Sequence, residues 1–247
     1  MAVASAIWGT FASTINSASV YTTTSNTLPA GAYLFIDFSS SSSLTTAGVS
    51  DSAGGTWSAS LTPNTGSPAH RHWIRTTVGT GTAFIVTINT SGTTGYGAIV
   101  GTYFTGASGS VSTPTVASGT TTIPTLTSPS ATQSGDLYHC AFVTRSGTPF
   151  ATGFTAGSGY TLGTNVITGG AIQQYTLGTE YQSATGTGTV STTASFTNTS
   201  TSASIWAIVI RAASVSTATT GTGAISIDGT GTVDSRINFG GWGIPLI

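Results

Sequence analysis

The sequence predicts an all-β protein built as an antiparallel β-sandwich. Three observations carry that expectation. β-Branched threonine, valine and isoleucine dominate while leucine and glutamate are scarce and lysine is absent, a balance that favours strands over helices. Short apolar runs recur, each closed by glycine-rich or Asp-Ser-Ala-Gly punctuation suited to hairpins. Finally, 38% of residues are hydrophobic and only 4% charged, so the chain has the apolar content to fold and lacks the charge that keeps disordered chains open.

In the first half, strands are expected at 32–39 (AYLFIDFS), 56–61 (TWSASL), 70–78 (HRHWIRTTV), 82–89 (TAFIVTIN) and 96–106 (YGAIVGTYFTG). Segment 107–134 reads as a Pro/Ser/Thr linker. Beyond it come 137–145 (LYHCAFVTR), 159–164 (GYTLGT), 171–181 (AIQQYTLGTEY), 192–198 (TTASFTN) and 204–212 (SIWAIVIRA). Ten or more short strands without helices make a sandwich or a barrel.

A weak internal repeat is visible. Asn-Thr-Ser begins at Asn89 and again at Asn198, and Ala-Ile-Val follows at the same spacing each time, an offset of 109. Pseudo-repeat halves of about 28–107 and 125–213 are expected to pair into one sandwich over 1–213, the alternative being two small domains. Residues 214–247 begin as a Thr/Gly segment and end in an apolar anchor of Phe239, Trp242, Ile244, Leu246 and Ile247. This extended C-terminal arm is expected to dock within the chain or on a partner.

Charge limits the function classes. Serine and threonine supply roughly a third of the chain, and the formal net charge is −1. A surface of hydroxyls has few fields for salt or pH to act on. A near-neutral, mildly apolar surface favours association, so a homo-oligomer is expected. No basic patch exists to displace counterions from phosphates, which excludes nucleic acid as a partner. No run approaches a membrane helix in length, so no membrane partner is expected. The first eleven residues lack a basic n-region, which predicts synthesis in the cytoplasm without a secretion signal. The single cysteine, Cys140, excludes an intrachain disulfide and reads as a small buried hydrophobe.

Catalysis finds little support. Without lysine there is neither a phosphate-loop lysine nor a Schiff base, and no G-x-S-x-G elbow appears. The acids are Asp37, Asp51, Asp136, Glu180, Asp228 and Asp234. Asp51 and Asp136 lie in turn sequences, where they are expected to cap backbone amides. Asp37, inside LFIDF, is expected to be buried with Arg75 or Arg145 as its partner. Pairing Asp37 with Glu180 would make a glycosidase dyad, and 228–234 faintly resembles a calcium loop. Neither is adopted: the sequence predicts a non-enzyme with no catalytic, cofactor or metal residues.

The stretch SPAHRHWIRTT, residues 67–77, concentrates His70, Arg71, His72 and Arg75. In a strand, His70 and His72 share one face and Arg71 takes the other. Two imidazoles are too few for a structural zinc site, so the adopted reading is hydrogen bonding to neighbouring hydroxyls or carbonyls. The alternative gathers six imidazoles around a threefold axis, an arrangement that resembles metal sites in trimeric phage tail-fibre shafts.

The series LPAGAYLFIDFS, VSDSAGGTWSA, TAFIVTINTSGTTGYGAIVGTYFTGA and SGDLYHCAFV…SIWAIVIRAA resembles a jelly-roll β-sandwich family, laminin-G or concanavalin-like in shape, of phage virion and bacterial surface proteins. The resemblance covers roughly residues 28–213 and carries no catalytic signature. It implies a jelly-roll-like sandwich and a virion structural protein: a capsid decoration (cement) protein on the virion surface, assembled in the host cytoplasm. Its expected partners are copies of itself, as a trimer, and the major capsid protein or another virion component. The alternative it implies is a glycan-binding tail-fibre or surface adhesin using Trp57, Tyr96, Tyr160, Tyr175 and Tyr181.

Overall fold

The computed structural model describes residues 2–13, 18–41, 47–58, 61–64, 69–90, 95–119, 125–146, 154–169, 174–196 and 200–214. The C-terminal anchor from Phe239 to Ile247, Asn198, Asp228 and Asp234 lie outside the described residues. Twenty strands form among them. The first ten are β1 (Ala4–Ala12), β2 (Val20–Thr22), β3 (Asn26–Thr27), β4 (Tyr33–Ser40), β5 (Ala47–Asp51), β6 (Leu61–Asn64), β7 (Ala69–Arg75), β8 (Ala83–Phe84), β9 (Val86–Thr90) and β10 (Gly97–Thr105). The next ten are β11 (Ala107–Val111), β12 (Thr115–Gly119), β13 (Thr125–Thr127), β14 (Leu137–Ser146), β15 (Phe154–Thr155), β16 (Thr161–Gly169), β17 (Gln174–Ser183), β18 (Ser191–Thr193), β19 (Ser195–Phe196) and β20 (Ser200–Ala212). Every pairing is antiparallel, and the fold is an all-β sandwich.

The same topology occurs twice. A first large sheet runs β1-β10-β4-β7-β6. A second runs β20-β14-β17-β16, with β11 and β12 both pairing the outer side of β20. In each, the strand after a left-handed glycine turn is central: Gly31 (φ 74°) precedes β4 and Gly135 (φ 89°) precedes β14. Both glycines donate their amide to a residue just beyond the second paired strand, Gly79 and Ala184 respectively. The repeat units run 4–105 and 107–212, so the first begins well before residue 28. Segment 107–134 is no linker, because it holds β11, β12 and β13.

Strand alternation gives each large sheet two apolar faces. One face of the first packs on the small sheet β2-β9-β5 and on β3-β8, burying Tyr21, Leu34, Ile36, Phe38, Val86 and Ile88. In the second repeat, Tyr138, Cys140, Phe142, Ile205 and Val209 face the small pairs β13-β18 and β15-β19. The remaining faces of the two large sheets meet in a middle layer. There Phe35, Ile74 and Phe104 pack on Leu137, Ala141, Trp206 and Ile208, and Ala98 and Val100 pack on Val143 and Leu177.

The repeat in the sequence is out of step with the repeat in space. Val100 pairs with Asp37 in β4, while Trp206 pairs with Ala141, the β14 residue equivalent to Asp37 by the turn glycines. Structural equivalence therefore needs an offset of 106 at β10 and β20. The Ala-Ile-Val motif sits three residues away from that register, and an odd slip reverses the faces. Ala98 and Val100 point into the middle layer, whereas Ala207 and Val209 point into the outer core.

Candidate functional site

The middle layer gathers all three histidines of the chain around Asp37. Asp37 projects from β4, in antiparallel register with His72 on β7, and Ser39 lies opposite His70. His139 comes across the layer from β14. Asp37 is 0% exposed, and His70, His72 and His139 are each 1% exposed. His72 Nδ1 lies 2.6 Å from Asp37 Oδ1, and His139 Nε2 lies 3.1 Å from Oδ2. The His70 and His72 ring centres are 4.1 Å apart, and Trp206 covers His72 at 3.5 Å. Phe35 and Phe104 flank His139 at 5.5 Å.

These contacts set the charges. Burial alone would raise the Asp37 pKa, but the hydrogen bonds from His139 and His72 hold it well below the usual carboxylate range. Burial pushes the His72 pKa down to about 4, only partly opposed by Asp37. His70 is pushed well below its ordinary value by burial and by the neighbouring His72. At neutral pH the layer holds one carboxylate with His70 and His72 uncharged.

Among the described residues, the buried polar atoms on the facing surfaces without a protein hydrogen-bond partner include Ser39 Oγ, His70 Nε2, Thr102 Oγ1, His139 Nδ1, Thr179 Oγ1, Ser204 Oγ and Trp206 Nε1. Buried polar groups are ordinarily paired, so a band of them between two apolar sheets marks the cluster out from ordinary core.

Several sequence expectations change here. Among the described residues no arginine pairs with Asp37; the β4–β7 register presents His72 instead, and Arg75 turns to the opposite face. There Arg75 Nε donates to Asp51 Oδ2 at 3.0 Å, and its guanidinium lies over the Phe84 ring. His70 and His72 share a face as expected, but that face is buried within one chain. They cannot meet copies of themselves on a threefold axis. Asp37 and Glu180 form no dyad, because Asp37 faces the middle layer while Glu180, paired opposite Cys140, faces the outer core of the second repeat.

Asp51 and Asp136 cap backbone amides as expected and take side-chain donors as well. Asp51 Oδ1 accepts from the amides of Ala53 and Gly55, and Oδ2 accepts from Trp57 Nε1 as well as Arg75. Asp136 accepts from the amides of Thr132 and Ala212 and from Arg211. Glu180 accepts from the Gly157 amide at 2.7 Å and from the Thr192 hydroxyl. Cys140 is wholly buried, and burial first, then Glu180, push its thiol pKa up.

His139 was missed by sequence reasoning. The signal that could have found it is the turn-glycine alignment, which places His139 at the position of Phe35, on the face that carries Asp37. Comparison of the chain with known protein families, with curated proteins and with solved structures finds no match.

Proposed function

We propose that this chain is a non-enzymatic structural protein of a virion, a decoration or cement protein that self-associates, as a trimer, and docks on capsomers. The single observation that carries this reading is where the ions are. All four acids among the described residues accept hydrogen bonds from inside the same chain, and none lines a cleft. A glycoside hydrolase needs carboxylates poised beside an open substrate site. A packing element needs instead a surface that meets another without stripping water from charges.

The sheet edges support the same reading. Ile7 on β1, Val116 on β12, and Leu162 and Ile167 on β16 are exposed aliphatic residues on edge strands. The chain has no lysine to guard those edges against pairing. The adhesin alternative is less favoured, because Tyr160 and Tyr175 are buried and Trp57, Tyr96 and Tyr181 are half-buried, leaving no exposed aromatic platform among them. Light scattering on the purified chain and co-sedimentation with purified capsid shells test the proposal. A trimer that sediments with shells at both low and high salt is expected. A monomer that leaves the shells bare refutes it, and a glycan-array hit by such a monomer moves the assignment to the adhesin.

A further inference from the structure

We propose that Asp37, His70 and His72 form an intramolecular site for one divalent transition-metal ion of the zinc type, set between the two repeats and oriented from the second by His139. One ligand atom from each of the three residues lies within 4.8 Å of the others. Tetrahedral ligands about 2.0–2.1 Å from an ion stand about 3.3 Å apart. The 2.6 Å pair of His72 and Asp37 must therefore open by less than an ångström, while the wider separations close.

The donor set selects the ion. Two imidazoles and one carboxylate suit zinc, nickel, cobalt or copper, whereas magnesium and calcium take oxygen shells. Two further observations point to a ligand. His70, whose ring lies 4.1 Å from that of His72, is buried, and its Nε2 has no protein partner. Asp37 is a fully buried carboxylate that no arginine among the described residues pairs with, so an ion would place a full positive charge beside it.

His139 fits a positioning role. Its Nε2 holds the second carboxylate oxygen of Asp37 at 3.1 Å, fixing the plane in which Oδ1 is presented. Ser39 Oγ, opposite His70 and without a protein partner, is a spare oxygen on the same face. Neutral imidazole binds metal through its lone pair, so His72 has only to move its proton from Nδ1 to Nε2, and no proton leaves the site. The ion would join β4 and β7 directly and β14 through His139, tying the two repeats together. This inference does not depend on what the chain assembles with.

The test uses the full chain without an affinity tag. It is expressed in zinc-supplemented medium and, separately, refolded from urea with zinc, magnesium, calcium or chelator, because a buried site exchanges slowly. Metal is counted by mass spectrometry after dialysis. One zinc per chain is expected, with Tm about 5–10 °C above that of the chelator-refolded protein, and no retained magnesium or calcium. H70Q, which leaves both Asp37 hydrogen bonds in place, is expected to fold with the same circular dichroism and to lose zinc at least tenfold. A folded wild type without stoichiometric zinc overturns the proposal, as does H70Q binding zinc as well as wild type. If H70Q does not fold, the visible spectrum of the cobalt(II)-loaded wild type decides. Tetrahedral nitrogen–oxygen absorption supports the site, and an aquo-like spectrum overturns it.

Discussion

Replacing Asp51 by asparagine isolates what one buried ion pair contributes to the first repeat. The side chain keeps its volume, and one oxygen can still serve the Ala53 and Gly55 amides at 2.9 and 3.0 Å. The new NH2 then faces two donors, Trp57 Nε1 and Arg75 Nε. Losing a neutral hydrogen bond costs about 1 kcal/mol and a charged one about 1.5–3 kcal/mol. Arg75, 4% exposed, is also left without its anion, although Thr77 O still accepts from it. The expected cost is about 3 kcal/mol, towards the lower end for a broken buried pair. In a domain of this size that lowers Tm by roughly 6–12 °C. Urea and thermal unfolding, followed by tryptophan fluorescence, measure it. R75M supplies the control: an apolar side chain still covers Phe84, and Asp51 keeps three donors, so the double variant is expected to lose less than the two singles combined. A D51N protein within 1 kcal/mol of wild type would refute the assignment of Arg75 and Trp57 to this carboxylate.

Three further outcomes are expected. In chelator, stability falls as pH drops from 6.5 towards 4. His70 and His72 have folded pKa values below the unfolded one, so the unfolded chain takes up protons first. His72 alone accounts for about 2–3 kcal/mol by pH 4.5, and a flat urea midpoint between pH 7.5 and 4.5 would contradict it. The Cys140 thiol, 0% exposed, should resist thiol reagents in the native protein and react as one thiol per chain in urea; fast native labelling would place it elsewhere. G97A sets a Cβ against the ring of Tyr21, whose hydroxyl is anchored to the Ala18 and Gly95 carbonyls, and is expected to cost about 2 kcal/mol in urea unfolding.

Local chemistry made much of the fold legible. β4, β7, β10, β14 and β20 fall where β-branched and aromatic runs place them, within a few residues at each end. The run 82–89 was harder: it divides at Ile85, β8 pairing with β3 and β9 with β2 and β5, because the chain steps from one small sheet to the next. Among the described residues, segment 56–58 contributes a bridge at Trp57, and β6 begins at Leu61. β1 escaped notice because its residues alternate only weakly, with Trp8 as its one buried residue. The site was half legible. Alternation put His70 and His72 on one face, and burial of Asp37 followed from its apolar neighbours. The register that sets Asp37 opposite His72, and the layering that brings His139 across, are long-range pairings that no local pattern encodes. The expectation of a weak response to pH concerned the surface alone, while His70 and His72 lie inside.

The doubled topology has a further consequence for how the molecule could be divided. Cut between Thr105 and Ala107, each unit would keep its own outer core but bare a broad oily plane on its other side. In the intact chain each plane is the other's cover, and the short connection at Gly106 keeps the two at high mutual concentration. The two covers are also unequal, one bringing an acid and two imidazoles and the other a single imidazole. A half expressed alone would therefore be offered only its own mirror, and two acidic halves set face to face would bury a pair of like charges.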